Sequence, residues 1–395
     1  MASISSSKFF IHPQASAGTT PANTTWYGVA VAKPGVSGGP ANQTVESQLI
    51  RNNRNPAGLK LVGPQSALTI PFEAQIPTTG SEAFWSMLKA SIYAPTASAA
   101  QSTAGWTWTG TTLTGASVTG FEVGDVVKIF DTGGTPTIVY ARITAKTTDL
   151  TIDLSKPVSY PAGTVTVRRG TTIKNGSTQQ AFAMLRIFQA PSVVPLADNR
   201  FELFNQETID SCSFSLTNKG IITGSFGTVG VGSDQLQTSL ASLSSNQSSG
   251  DFTTYPAPST EVVDATNNVP MVNVAGAEYG VQSVSFSWNN NSQARSNVGD
   301  YNATSISVGD FRGTGSFTAY FDDIAEFNKA LLGTASKMYV VMANSSNQAM
   351  TISIPRVRYG NPTLNGQDRD VIATLPFQFE EDSTEAIGIR ISYIA

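Results

Sequence analysis

The 395-residue chain has one histidine, His12, and one cysteine, Cys212. That scarcity excludes an intrachain disulfide and any zinc site built from several His and Cys, and it leaves no basis for Ser-His-Asp or Cys-His catalysis. Charge is also scarce, at 13% of residues, with a net charge of −4 and a pI near 5.2. An acidic, weakly charged chain does not grip nucleic acid through a basic surface. The short basic clusters Arg51, Arg54 and Lys60 and Arg168, Arg169 and Lys174 lack the density of a phosphate-binding stripe and read as solvated loops or subunit contacts. No stretch of about 18 uninterrupted apolar residues suggests a membrane span. The N-terminus has no charged segment followed by a long apolar run, so no signal peptide is expected and synthesis in a cytoplasm is. The sequons at Asn23, Asn42 and Asn302 then follow from an Asn- and Thr-rich composition.

What is present is alternation and turn formers. Apolar residues make up 40% of the chain, and Gly, Ser, Thr and Asn are abundant, which suits many short strands. One pattern occurs twice. Phe72-Glu-Ala74-Gln-Ile76 is followed by Phe84 and Leu88, and Phe317-Thr-Ala319-Tyr-Phe321 by Phe327 and Leu331. Each is a period-two strand feeding an amphipathic helix, and each follows a long hairpin. Thr79-Gly-Ser-Glu82 reads as a capping box before a stripe of Phe84, Trp85, Leu88 and Ile92. Asp323 caps the second helix, whose stripe is Ile324, Phe327 and Leu331 and whose stop is Gly333.

Around these copies, residues 1 to about 45 read as an extended arm with one short strand near Trp26, Tyr27, Val29 and Val31, and 45–64 as a strand and a long polar loop. Pro71 places the following strand at an edge, or with that side free. Between Pro95 and Lys174, short alternating strands around Trp106, Trp108 and Gly120-Phe-Glu-Val-Gly-Asp-Val-Val127 predict a small self-contained barrel inserted into the first copy. The first copy resumes with 181–188, 209–216 and 220–226, and the second has counterparts at 337–342, 350–359 and 371–379. A last strand carries Ile387 to Tyr393. A Ser-, Thr-, Gln-, Asn- and Pro-rich stretch, 233–277, reads as a linker.

No residue is nominated for catalysis, cofactor binding or metal binding. Glu380, Glu381, Asp382 and Glu385 form the best carboxylate cluster and read as a solvated hairpin loop. Asp322 and Asp323 are accounted for by capping, and Gly220 and Gly224 lack the Lys-Ser/Thr of a phosphate loop. Cys212 belongs to the buried alternation Cys212, Phe214, Leu216.

Taken in order, Glu46-Ser-x-x-Ile50-Arg51 with Arg54, the helix, the Gly-Phe-x-Val-Gly-Asp-Val-Val insertion, Ile221-Ile-Thr-Gly-Ser-Phe226 and Ile354 to Tyr359 resemble the major tail tube proteins of long, non-contractile-tailed bacteriophages (siphophages), over nearly the whole chain. The resemblance implies a mainly β fold of two tandem tail-tube sandwich or barrel modules, each with one flanking helix, plus the inserted barrel. The first module would comprise 1–104 and 173–232, the barrel 105–172, the linker 233–277 and the second module 278–395. It implies a structural virion protein, not an enzyme, whose trimeric, pseudo-hexameric rings stack into the conduit for DNA ejection. Its partners would be itself, the tape measure, tail terminator and distal tail proteins, and DNA passing without specific binding. An acidic or neutral bore is expected, with the barrel projecting outward and the 45–64 loop, its counterpart near 289–313 and the N-terminal arm touching the next ring. Two other readings are a carbohydrate-binding or adhesive sandwich, with Trp106 and Trp108 stacking on sugars, and a glycoside hydrolase with unidentified carboxylates.

Overall fold

The computed structural model describes residues 7–14, 25–46, 59–76, 83–94, 96–131, 137–153, 164–188, 200–233, 237, 262–269, 271–274, 277–278, 281–300, 303–320, 325–367 and 370–395. Within them the chain is mainly β. It begins with β1 (Lys8–Gln14), β2 (Tyr27–Gly28), β3 (Ser37–Glu46), β4 (Leu59–Glu73) and α1 (Ala83–Ser91). Six strands then close a small barrel: β5 (Gln101–Thr109), β6 (Thr112–Thr114), β7 (Val126–Phe130), β8 (Ile138–Lys146), β9 (Leu150–Asp153) and β10 (Thr164–Arg169). The chain returns through β11 (Thr171–Lys174), β12 (Ala181–Phe188), β13 (Arg200–Thr217), β14 (Thr223–Val229) and β15 (Gly232–Ser233). Next come β16 (Met271–Val274), β17 (Ala277–Glu278), β18 (Val281–Asn289), β19 (Gln293–Arg295), β20 (Ser305–Ser307), β21 (Arg312–Tyr320) and α2 (Ala325–Leu332). The end is formed by β22 (Ser336–Ala343), β23 (Ala349–Tyr359), β24 (Thr363–Gln367), β25 (Asp370–Phe379) and β26 (Arg390–Ile394).

Strand pairing repeats as the sequence does. β3 pairs with β4, β4 with β14, β14 with β13, and β13 with β12. In the second half β18 pairs with β21, β21 with β25, β25 with β23 and its continuation β24, and β23 with β22. β1 on β12 corresponds to β16 on β22. The two copies join within the chain where β13 pairs with β18, Ser211 opposite Asn289 through Thr217 opposite Ser283.

Several expectations change. The N-terminal segment is not a free arm: β1 pairs along β12, and Phe9, Phe10 and Ile11 are buried, because three consecutive apolar residues on an inner strand bury both faces. β4 is not an edge. β3 flanks one side and β14 the other, and Pro71 lies just past the β3 ladder, where only its carbonyl is used, accepting from Ala32 N–H at 2.9 Å. β13 starts nine residues before 209. Part of the 233–277 stretch is structured: Val263 and Val274 are buried and β16 pairs with β22. The loop at 47–58 and the capping residues Thr79 to Glu82 and Asp323 lie outside the described residues.

The helices are equivalent in a different register from the one the Phe/Leu spacing suggests. α1 ends with Tyr93 N–H donating to Ala90 O (3.1 Å) and Ala94 N–H to Lys89 O (3.1 Å), and Tyr93 has φ +50. α2 ends with Gly333 N–H donating to Ala330 O (3.3 Å) and Thr334 N–H to Lys329 O (2.9 Å), and Gly333 has φ +65. Both are Schellman stops. Lys89-Ala90-Ser91-Ile92 therefore corresponds to Lys329-Ala330-Leu331-Leu332, placing Leu331 opposite Ser91 rather than Leu88. The buried face of α1 is wider than the expected stripe, with Ala83, Trp85, Met87, Leu88, Ala90 and Ser91 inside and Phe84 half-buried. In α2 Leu331 is 65% exposed, which corrects its place in a buried stripe, and the one buried residue is Glu326.

Candidate functional surface: a neutral sheet face and an open repeat junction

Eight antiparallel strands follow one another by hydrogen bonding in the order β3, β4, β14, β13, β18, β21, β25, β24. Because strand side chains alternate, each row of register partners lies on one face. One row reads Phe72, Gly224, Phe214, Phe286, Gly315, Phe377. This is the core face. Phe214 stacks on Phe286 with centroids 5.5 Å apart, Phe286 lies 6.3 Å from Trp288, and Phe72 meets Phe214 edge-on at 5.2 Å. Glycine at 224 and 315 makes room for rings on neighbouring strands: a Cβ at Gly224 would overlap Phe72, and one at Gly315 would overlap Phe377.

The opposite face carries hydroxyls. Its rows read Pro71, Ser225, Ser213, Ser287, Thr314, Gln378 and Glu73, Thr223, Ser215, Ser285, Ser316, Pro376. Hydroxyls bridge strands at Ser213–Ser225 (3.0 Å), Ser285–Ser316 (3.1 Å) and Thr318–Thr374 (3.4 Å). Among the described residues charge enters at the margins, as Glu73, as Arg312 opposite Asn289 and as Asp370 opposite Gln367. The surface crosses the repeat junction without a break. Its signal was legible as period-two hydroxyls at 211, 213 and 215, at 283, 285 and 287, and at 314, 316 and 318. The aromatic alternation drew attention first.

The junction is built from side chains of both copies. Trp288 Nε1 donates to Ser91 O at 3.1 Å, and Asn290 Nδ2 donates to Ser91 O at 2.9 Å, Asp210 O at 3.1 Å and Ile209 O at 3.3 Å. Tyr93 and Ser292 share a hydroxyl hydrogen bond of 2.6 Å. Trp85 meets Tyr393 of β26 at 6.4 Å. α1 is thus roofed by the second copy. α2 has no such roof among the described residues. Its Glu326 accepts from Lys329 (2.6 Å), Ser336 (3.0 Å) and Tyr359 (2.6 Å), while Leu331 and Leu332 are 65% and 80% exposed. At the ends of the strand run, β3 is paired only with β4 and β24 only with β25, again among the described residues.

The barrel rests on the second half through buried charge. Arg390 Nη1 reaches Asp125 at 2.8 Å and its Nη2 reaches Glu385 at 3.3 Å, while Arg142 also pairs with Glu385. Arg169 stands 3.5 Å from Asp125. Burial pushes Asp125 above the usual carboxylate range, opposed by Arg390 and Arg169. Beside these ions Val126 and Tyr140 pack on Tyr339, Val341, Ala349 and Ile394. Glu385 is therefore not part of a solvated acidic loop: its side chain is 4% exposed and it is an anchor. Glu380 accepts from Arg358 and Arg356, which hold its carboxyl below the usual range. Trp106 and Trp108 are buried in the barrel core, so the sugar-stacking reading loses its residues.

A second buried carboxylate, Glu207 on β13, accepts from the hydroxyls of Ser66 and Thr228. Burial pushes it up to about 7, against the lowering effect of those two hydroxyls. Cys212 is buried, and burial raises its thiol well above its ordinary value.

No curated protein matches the sequence. A model of the phage tail tube protein family matches residues 5–379. The chain belongs to that family.

Proposed function

We propose that this tail tube chain forms trimeric rings in which six repeats stand in for a hexamer, and that stacked rings make the DNA conduit of a long, non-contractile phage tail. The observation that carries this is the β13–β18 ladder, where the fourth strand of one repeat takes the first strand of the next. The same two strand positions recur unfilled at the ends of the run, in β24 and β3. Open edges are a liability in a monomer, and a head-to-tail contact that closes by rotation makes a ring. Three chains, each contributing two repeats, complete it.

In this reading the hydroxyl face lines the bore. Holding duplex DNA needs cations that displace condensed counterions, and the central rows of this face offer none, so DNA slides without specific binding. Residues 1–104 and 173–232 make the first tube module and 278–395 the second, which also recruits β16 from the 233–277 connection. The barrel at 105–172 stands outside the bore, clamped to the second module. The chain has a structural role and no catalytic one. It resides in the virion tail after synthesis in the host cytoplasm, and it meets tape measure, terminator and distal tail proteins. Negative-stain microscopy with mass measurement by light scattering tests the reading. Three-chain rings or tubes support it, and a monomer at every concentration overturns it.

A further inference from the structure

The ring reading leaves open what covers α2, which is inverted relative to a normal surface helix: a carboxylate in its first turn points in and two leucines in its last turn point out. The first repeat supplies the comparison. At the equivalent turn of α1, Ser91 and Ile92 are fully buried, and Trp288 and Asn290 at the end of β18 close over Ser91 and over Asp210 of β13. α2 sits against the corresponding place on its own sheet: Arg358 of β23 donates to Gly333 O at 2.7 Å. That is the end of β23 from which the unpaired β24 edge continues. The exposed leucines and the open strand edge are therefore parts of one unfilled junction, while its filled twin lies within the chain.

Resting on the ring reading, we infer that Leu331 and Leu332 seat the start of β3 of a second copy of this chain. Registers fix which residues. Trp288 pairs with Gly313 and Gly38 with Leu68, at equivalent positions of β21 and β4, so Gly38 and Pro40 stand where Trp288 and Asn290 stand in the filled junction. Gly38 and Pro40 are exposed, as an unoccupied half of such a contact requires. With no ring at position 38 to fill the seat, the two leucines supply the apolar bulk from the other side, a division of labour opposite to that of Trp288 over Ser91.

The test compares the full-length protein with Leu331→Glu/Leu332→Glu. The expected result is at least about a tenfold rise in the concentration needed for ring assembly, with the melting temperature of the unassembled chain unchanged. Wild-type rings together with unimpaired variant rings overturn the seat alone, whereas wild-type protein that never assembles overturns the ring reading itself. An unassembled variant that melts well below wild type shows that the chain covers its own leucines, and also overturns the seat. Leu332→Ser gives a milder version that keeps the helix. The pair Leu331→Cys and Pro40→Cys should link chains head to tail in assembled rings, with Cys212 too buried to compete. Intact rings that give no linked chains on a non-reducing gel overturn the inference.

Discussion

The two helices of this chain stop in the same way and sit at equivalent places on equivalent sheets, yet one is a core element and the other a surface element. α1 buries Trp85, Met87 and Leu88 completely or nearly so, while α2 buries a glutamate and leaves two leucines outside. What differs is the next repeat. α1 has it within the same chain, in Trp288, Asn290 and Tyr393. α2 lacks it. Burial in a duplicated fold is thus set by position in the series as much as by local sequence, as in solenoids whose terminal repeats differ from internal ones.

The sharpest way to break the comparison is to strip the roof from α1. Trp288→Ala should cost about 3–5 kcal/mol, since a fully buried ring and two hydrogen bonds to Ser91 are lost together. Chemical denaturation of the unassembled chain measures it. A loss below about 1 kcal/mol would mean that the junction does not support α1. Next, Leu88→Ala should cost about 2–5 kcal/mol and Leu331→Ala less than about 0.5 kcal/mol in the same assay. Equal losses would erase the distinction between the helices.

The halves also differ in how they bury a carboxylate. Glu326 has a lysine and two hydroxyls, whereas among the described residues Glu207 has two hydroxyls, those of Ser66 and Thr228. Glu207 keeps its proton up to about 7 when folded but releases it near its ordinary 4.5 when unfolded. Its contribution is therefore fully present below about 4.5 and lost as pH rises through about 7, at about 1.4 kcal/mol per pH unit across that window. Glu207→Gln should flatten the wild-type fall in stability between pH 5 and 7 and leave the variant the more stable at pH 8. Parallel wild-type and variant curves would rule this out. Glu326→Ala should cost about 1–3 kcal/mol, from removing the carboxylate that accepts from the buried Tyr359 hydroxyl. Unchanged thermal melting would show that α2 is not held by that carboxylate.

Much of the fold was legible in the chain because its signals are local. The Phe317 and Phe72 alternations, the Gly333 stop and the Trp106 to Val167 barrel each follow from a period of two or from a glycine at positive φ. Leu331 misled for a physical reason: amphipathic spacing reports an apolar stripe, and a stripe meant for a neighbour has the same spacing as one meant for the core. Glu385 misled in the opposite direction. A run of carboxylates reads as solvated, and only packing brings Arg142 and Arg390 to it from residues far along the chain.

The sequence by itself determined the duplication, the strands, the inserted barrel and the near-absence of chemistry-bearing side chains, since each is written in neighbouring residues or in composition. Tertiary structure alone decided that one face of β14, β13, β18 and β21 is continuous hydroxyl, that the barrel is locked to the far half by buried ions, and that β13 takes β18 while β24, among the described residues, is left open. Those facts depend on which distant strands share hydrogen bonds. Register between strands far apart in sequence is set by packing of the whole core, which no local pattern encodes.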